Sequence, residues 1–342
     1  MDAFAIYRLP HADDCTLVGQ NGAPATFASL TELGAAQGFV IAPFTVDDRT
    51  PVLLLRADEV RQCTLDEVRS LAPLSCYLDA AGLPLVLPSK KAYRSVFDRF
   101  HQALLEPDIQ KLVLARCEDV QYQGPEPTEL FSRACERYPE AFVTLFSAPQ
   151  CGTWLLATPE VLLARDGNRW RTMALAGTMR YTERLPEWSE KNVQEQAYVA
   201  RYINDCLSRY SHDVTLDGPY TTRAASLVHL RTDFSFTLPD EARMGDVLAD
   251  LHPTPAVCGM PKEKAQRFIV ENEHCDRSYY SGFSGPLNLS GDTALFVSLR
   301  CMRILEDRYR LYAGGGILPQ SEASQEWSET VAKMQAMISL IS

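Results

Sequence analysis

The chain is predicted to fold in the α+β class, with largely antiparallel sheets and helices on their outer faces. Short apolar runs are joined by hairpin signals, such as Asp166-Gly167 between the runs at 161–165 and 170–175. Helical periodicity is confined to a few longer segments, so strands and helices do not alternate as they would in a parallel sheet. We expect one compact domain over residues 1–342, because no linker-like composition interrupts the chain.

Each element follows from a local pattern. Helices are predicted at residues 90–105, 129–137, 189–210 and 261–273. The evidence is apolar residues at helical spacing, a proline that closes a helix, or a proline in the first turn. Apolar runs bounded by turn residues predict strands at residues 111–116, 141–147, 153–157, 161–165, 170–175, 294–299 and 309–312. Residues 1–90 hold shorter apolar runs broken by Gly and Pro.

Composition narrows the classes of partner. The formal charge is −11, from 33 basic and 44 acidic side chains, which disfavours nucleic acid and anionic membranes. Ten cysteines without a C-x-x-C pair indicate reduced thiols in a chain of this length. An acidic residue stands where a signal peptide would carry basic charge, so a cytoplasmic protein is expected.

The C-terminal quarter suggests a metal site. Gly314, Gly315 and Gly316 are predicted to form a flexible turn after a strand, and a helix follows. Glu326, Glu329 and Lys333 would share one face of that helix at i, i+3 and i+7. Two unpaired carboxylates on one face repel each other, and a divalent cation such as Mg²⁺ would compensate. A phosphate loop is disfavoured, because no Gly-Lys-Ser/Thr follows the glycines.

Four further residues each allow two interpretations. Lys111 is either a solvated lysine at a strand edge or a buried, neutral general base whose pKa is lowered. Glu160 is either an ordinary turn carboxylate or an acid with a raised pKa that protonates a leaving group. Glu195 is either solvated on its helix or a third Mg²⁺ ligand. Arg300 is either a surface cap or a fork for a substrate carboxylate.

The order of these segments is more specific than any one of them. The matching motifs are Lys111-Leu-Val-Leu-Ala-Arg116, Ala157-Thr-Pro-Glu160, Leu175-Ala-Gly-Thr178, Ser189-Glu-Lys-Asn-Val-Gln-Glu195, Leu251-His-Pro-Thr-Pro-Ala-Val-Cys-Gly259, Asp276-Arg277 with Tyr280 and Gly282, Ser298-Leu-Arg300, Tyr312-Ala-Gly-Gly-Gly-Ile317 and Glu326-Trp-Ser-Glu-Thr330 with Lys333. In this order they resemble the chorismate-utilising enzymes, and within that family the isochorismate synthases. The resemblance covers residues 91–342 as a chorismate-binding catalytic region, and residues 1–90 match a part of the same fold that varies most.

The resemblance implies roles for individual residues. Lys111 would be the general base that activates water for attack at C2 of chorismate, and Glu160 the acid that protonates the departing C4 hydroxyl. Glu195 and Glu329 would bind Mg²⁺, with Glu326 as a nearby or water-mediated ligand. The residues implied at the substrate are Gly177, Thr178, His229, Ala256, Arg300, Gly314, Gly315, Gly316 and Lys333. One departure is Asn192, where the family usually carries Asp and where Mg²⁺ affinity could be lower.

The implied fold is two packed, mainly antiparallel sheets with helices outside, in α/β/β/α layers. The implied activity is reversible, Mg²⁺-dependent conversion of chorismate to isochorismate, which feeds menaquinone or siderophore biosynthesis. Lys111 disfavours the ammonia-using anthranilate synthases, and Ala176 disfavours the aminodeoxychorismate synthases, which carry a lysine there. Ala256 favours isochorismate synthase over salicylate synthase, which also eliminates pyruvate. A non-catalytic, Mg²⁺-dependent anion-binding module is the remaining alternative. We expect a monomer without a glutaminase subunit.

Overall fold

The computed structural model describes residues 1–71, 74, 76–80, 82–121, 124–181, 187–224, 227–289 and 291–342. Over these residues we number eighteen strands: β1 (Ala3–Arg8), β2 (Cys15–Gln20), β3 (Ala25–Phe27), β4 (Gly38–Ala42), β5 (Val52–Leu55), β6 (Glu59–Cys63), β7 (Lys111–Gln121), β8 (Phe142–Ala148), β9 (Gly152–Thr158), β10 (Val161–Asp166), β11 (Arg169–Arg180), β12 (Thr215–Ala224), β13 (Leu227–Phe236), β14 (Gly259–Met260), β15 (Phe283–Leu287), β16 (Ala294–Val297), β17 (Cys301–Ile304) and β18 (Arg308–Ile317).

Seven α-helices accompany the strands in the same described ranges. They are α1 (Leu65–Arg69), α2 (Lys90–Ala103), α3 (Pro127–Arg137), α4 (Glu190–Leu207), α5 (Met244–Leu251), α6 (Lys262–Asn272) and α7 (Ala323–Ile341). Two short 3-10 helices cover Leu30–Ala35 and Glu241–Arg243.

The strands form two nine-stranded sheets, and the described strand pairs are antiparallel. The first sheet has the order β14-β7-β18-β17-β9-β8-β1-β2-β6, and the second has the order β12-β13-β11-β10-β16-β15-β4-β5-β3. The N-terminal strands β1 to β6 contribute to both sheets. This arrangement confirms the predicted α+β class.

The two sheets pack face to face through a shared apolar core. The rings of Phe142 from the first sheet and Phe296 from the second stack with their centroids 4.2 Å apart. Burying each such ring contributes on the order of 1.5–3 kcal/mol. Helices α4 and α5 cover the outer face of the second sheet, while α3 and α7 cover the first. The layers are therefore helix, sheet, sheet and helix, as the family resemblance implies.

Two helices carry a carboxylate on a face that is otherwise apolar. Helix α4 starts at the cap of Ser189, whose side chain accepts a hydrogen bond from the Asn192 amide, and it buries Glu195 in line with Val199. Helix α7 buries Glu326 in its first turn, ahead of apolar residues at helical spacing. Charged side chains are rarely buried unless they are paired. Both helices therefore direct acids inward at one end.

The predicted helices and hairpins are confirmed, but one turn prediction and the predicted end of one strand are wrong. The predicted glycine turn, Gly314 to Gly316, is extended backbone inside β18 and pairs with β7. The strand predicted at residues 294–299 ends at Val297, and the chain then enters β17 in the other sheet. β17 is four residues long and was not predicted. Its brevity leaves too few residues for an alternating pattern to stand out.

Candidate active site

A cavity of about 50 Å³ lies where the chain crosses between the two sheets. Glu160 occupies the crossing from β9 to β10, and Arg300 the crossing from β16 to β17. Twelve of the fourteen predicted site residues line the cavity: Glu160, Gly177, Thr178, Glu195, His229, Ala256, Arg300, Gly314, Gly315, Gly316, Glu329 and Lys333. The other two, Lys111 and Glu326, lie behind this wall. The structure thus brings the predicted residues together.

Lys111 is completely buried at the start of β7. Its Nζ lies 3.0 Å from Oε1 of Glu195 on α4. The pair is possible only because Gly316 lies between the two elements. A Cβ on Gly316 would come within 2.0 Å of that carboxylate oxygen and 3.1 Å of the lysine Cε. The interpretation of Lys111 as a solvated lysine at a strand edge is therefore wrong, and its role as general base stays a prediction.

Glu160 is also buried, and it keeps its proton more tightly than an exposed glutamate. Burial raises the pKa of Glu160 from 4.5 to about 7, although the positive charges of Arg300, Lys111 and Lys333 act in the opposite direction. Its backbone is fixed across the sheet, since the Val297 amide donates to the Glu160 carbonyl at 2.9 Å. The carboxyl group can therefore act as a proton donor near neutral pH.

Arg300 is held by an unusual backbone and by a histidine. Its φ is +46°, in the left-handed region that non-glycine residues rarely adopt. Nη2 of Arg300 lies 3.4 Å from Nε2 of His229, whose Nδ1 lies 3.0 Å from the Gly177 carbonyl. Burial, together with the charges of Arg300 and Lys333, lowers the pKa of His229 to about 3. The imidazole is therefore neutral, donates from Nδ1 to the carbonyl, and accepts from the guanidinium at Nε2.

Each predicted metal ligand is paired with a lysine. Glu195 pairs with Lys111, Glu326 accepts a short hydrogen bond from Lys191, and Glu329 lies 2.6 Å from Lys333. The expectation that the carboxylates of α7 are unpaired is therefore wrong, because lysines already balance their charge.

The pairing affects the two buried carboxylates differently. Burial alone would raise the pKa of Glu195, but the charges of Lys111 and Lys191 outweigh burial and lower it. Burial raises the pKa of Glu326, and the negative charge of Glu329 raises it further. The positive charge of Lys191 acts in the opposite direction but does not cancel the increase. Glu195 is therefore the more firmly ionised of the two.

The residues fit a divalent cation in donor chemistry. Oε2 of Glu326 is buried and accepts no hydrogen bond, which leaves one carboxylate oxygen free for a ligand. A Cβ on Gly315 would lie 3.1 Å from that oxygen and 3.6 Å from Oε1 of Glu329, so both acids approach the same stretch of β18. Over the described ranges, no three His, Cys, Asp or Glu side chains are already arranged as a metal cluster. Binding would therefore require the carboxylates to separate from their lysines.

Among the residues that were not predicted for the site, two bear on its shape and charge. Tyr280 stacks on Tyr312 with ring centroids 5.4 Å apart and narrows the cavity beside Gly314. Lys191 supplies the counter-charge for Glu326. The sequence could have indicated this lysine, because it lies four residues before Glu195 on a predicted helix and residues four apart share a helix face.

Comparisons with known proteins place the chain in a family. The family model described as chorismate binding enzyme matches residues 80–342. Isochorismate synthase EntC of Escherichia coli is 28% identical over 268 residues, covering 74% of this chain and 68% of EntC. A putative isochorismate synthase MenF of Mycobacterium tuberculosis is 31% identical over 259 residues, covering 70% of this chain and 69% of that protein.

A solved structure shows the same fold over nearly the whole chain. The crystal structure of a putative 2,3-dihydroxybenzoate-specific isochorismate synthase, DhbC from Bacillus anthracis, superposes with a TM-score of 0.82 at 24% identity. The match covers 99% of this chain and 96% of that one.

Among the helices of the described residues, none is long and apolar enough to cross a membrane.

The raised pKa of Glu160 predicts a pH-dependent stability. Below pH 4.5 the carboxyl is protonated in both the folded and the unfolded state, and its contribution is complete. The contribution is lost as pH rises through about 7, where the folded state also releases the proton. Glu160→Gln removes this titration. We therefore expect the free energy of unfolding of the wild type to fall by roughly 3 kcal/mol relative to Glu160→Gln between pH 4.5 and pH 8.

Urea denaturation of both proteins across this pH range measures the difference. Glu271→Gln, an exposed change on α6, is the matched control and should run parallel to the wild type. A wild-type to Glu160→Gln difference that stays constant with pH would contradict the raised pKa.

Proposed function

Because this chain belongs to the family of chorismate-binding enzymes, we propose that it is an isochorismate synthase, an isomerase that converts chorismate to isochorismate reversibly and with Mg²⁺. The proposal depends on one observation, which is that a candidate proton acceptor and a candidate proton donor lie at the same cavity. Lys111 is a completely buried lysine in contact with Glu195, and Glu160 is a buried acid whose pKa is raised to about 7. A base and an acid at one site suit the addition and loss of water.

The proposed reaction exchanges one hydroxyl for another. Lys111 in its amine form accepts a proton from water, and the resulting hydroxide attacks C2 of the ring. The ring double bonds shift, and the C4 hydroxyl leaves with a proton from Glu160. Water is thus consumed and released in equal amount, and no oxidant or reductant is needed. The reverse reaction uses the same two groups with their protonation states exchanged.

The substrate is a dianion, and its two carboxylates need separate partners. Arg300 offers a planar fork for the enolpyruvyl carboxylate, oriented by neutral His229. Backbone amides of the β18 glycines would add further donors. Thr178 and Ala256 also line the cavity and would shape the space around the ring.

Glu195 and Glu329 would hold Mg²⁺, with Glu326 behind them as a nearby or water-mediated ligand. Bound Mg²⁺ would neutralise the ring carboxylate and orient the substrate. If Glu195 were to bind the metal, Lys111 would lose its ion-pair partner and would be able to face water. Similar proteins are named a vibriobactin-specific and a menaquinone-specific isochorismate synthase, which supports the activity, and the product would feed menaquinone or siderophore biosynthesis.

The deciding experiment is a product assay with a base variant. Purified protein with chorismate and Mg²⁺ should yield isochorismate, measured by chromatography. Lys111→Gln should lower kcat by roughly 10²- to 10⁴-fold, because the general base is lost. Salicylate and pyruvate as the main products would instead identify a salicylate synthase, and turnover only with ammonia would identify an aminating enzyme.

Lys264→Gln is the matched control for the base variant. Lys264 is a surface lysine paired with Asp108, with 54% of its side chain exposed. This variant should retain wild-type kcat. Circular dichroism should show that Lys111→Gln is folded. Wild-type kcat in folded Lys111→Gln would remove the assignment of Lys111 as base.

Metal removal tests the Mg²⁺ site. Protein treated with a chelator should lose turnover and regain it on addition of Mg²⁺. Glu329→Gln should weaken Mg²⁺ binding by at least about tenfold in a calorimetric titration, since one anionic ligand becomes neutral. Glu263→Gln, an exposed change on α6, should leave the affinity unchanged. Full turnover after exhaustive chelation would show that the reaction needs no metal.

A further inference from the structure

A buried ion pair completes the edge of the first sheet beside the cavity. Edge strand β14 covers β7 only at Lys111 and Leu112, through the register partners Met260 and Gly259. Beyond this point the outward backbone groups of β7 need other partners. The Arg277 guanidinium donates to the Val113 carbonyl at 2.8 Å, and the Ala115 amide donates to the Glu273 carboxylate at 2.6 Å.

The pair itself is rigid and almost fully shielded. Arg277 binds Glu273 through two hydrogen bonds, Nε to Oε2 at 2.5 Å and Nη2 to Oε1 at 2.8 Å. Their side chains are 4% and 3% exposed. Bidentate, charge-assisted hydrogen bonds fix orientation as well as distance. The side chains of Glu273 and Arg277 thus form the hydrogen bonds to the β7 backbone that a neighbouring strand would otherwise form.

The same guanidinium reaches a second wall of the cavity. Nη1 of Arg277 donates to the Val257 carbonyl at 2.7 Å, while Nη2 holds Val113. Val113 and Val257 both line the cavity, and Val257 follows Ala256. Val113 lies two residues after Lys111, on the same face of β7. One side chain therefore sets the spacing between the strand of the base and the Ala256–Val257 wall.

We propose that Glu273 and Arg277 are positioning residues for the reaction, which hold the strand of Lys111 at a fixed distance from the Ala256–Val257 wall. This inference rests on the proposed function, because it concerns the alignment of Lys111 with the substrate ring. Neither side chain lines the cavity, so the pair acts through backbone and not through substrate contact. A neighbouring strand would have to run alongside β7. The loop that carries Ala256 instead turns into the cavity, so it cannot supply such a strand.

Arg277→Lys tests the positioning role. The lysine keeps the charge beside Glu273 but cannot bridge both carbonyls. We expect kcat to fall roughly 10- to 100-fold, since small misplacements of a reacting group cost this much. KM for chorismate should change by less than about threefold, because the substrate carboxylate partners are untouched. Hydrogen exchange of the β7 peptide should become faster than in the wild type.

The matched control is Arg8→Lys. Arg8 is also 4% exposed and donates to three carbonyls, those of Tyr138, Pro139 and Ala141, but it lies outside the cavity wall. Arg8→Lys should lower stability without lowering kcat. Equal losses of kcat in the two variants would overturn the proposal, as would wild-type kcat in folded Arg277→Lys.

Glu273→Gln covers the case in which Arg277→Lys does not fold. Glutamine keeps the size of the side chain and an acceptor for the Ala115 amide, but it loses the charge that orients Arg277. The same fall in kcat is expected, and an unchanged kcat would overturn the proposal. If the wild type does not convert chorismate, the proposed function fails. Hydrogen exchange of the β7 peptide then tests the inference, and an exchange rate in the variant equal to that of the wild type contradicts it.

Discussion

The buried contact between Lys111 and Glu195 joins the parts of this molecule that must meet at the site. It links the first strand residue of β7 to the inward face of α4 at 3.0 Å. Removing two charges from water is costly, so each depends on the other. Gly316 leaves the space for the contact, while the neighbouring Gly315 leaves space for Glu326 and Gly314 for Tyr280. Without this pair, the proposed base and the first proposed metal ligand would not be held at a fixed distance from each other.

The same charge balance extends around the cavity. Three glutamates and three lysines, Lys111, Lys191 and Lys333, form pairs, which lets a site rich in acids fold before any cation binds. A metal dication and a dianionic substrate can enter this site together without changing its net charge. Glu160 lies apart from the pairs at a sheet crossing, where burial raises its pKa to about 7. The proposed chemistry is thus divided between an end of paired carboxylates, proposed to bind the metal, and a protonated acid.

Local patterns predicted much of this fold, and long-range contacts explain the failures. Hairpins such as the one at Asp166-Gly167 and the helices with clear periodicity depend on neighbours in sequence. Gly314 to Gly316 were predicted as a turn because glycine favours turns. Their strand conformation comes from pairing with β7, two hundred residues earlier in the chain. Most of the candidate site followed from motif order, whereas the lysine partner of Glu326 required knowledge of how α4 and α7 pack.

In the proposed reaction, Lys111 activates a water molecule, which becomes the new hydroxyl group. Conversion of chorismate in water enriched in oxygen-18, with Mg²⁺ present, shows whether the new hydroxyl comes from water. Mass spectrometry of isochorismate from a single early turnover should show one labelled oxygen, located at C2. Isochorismate without the label would mean that the original hydroxyl migrates within the substrate, and it would contradict the roles assigned to both Lys111 and Glu160.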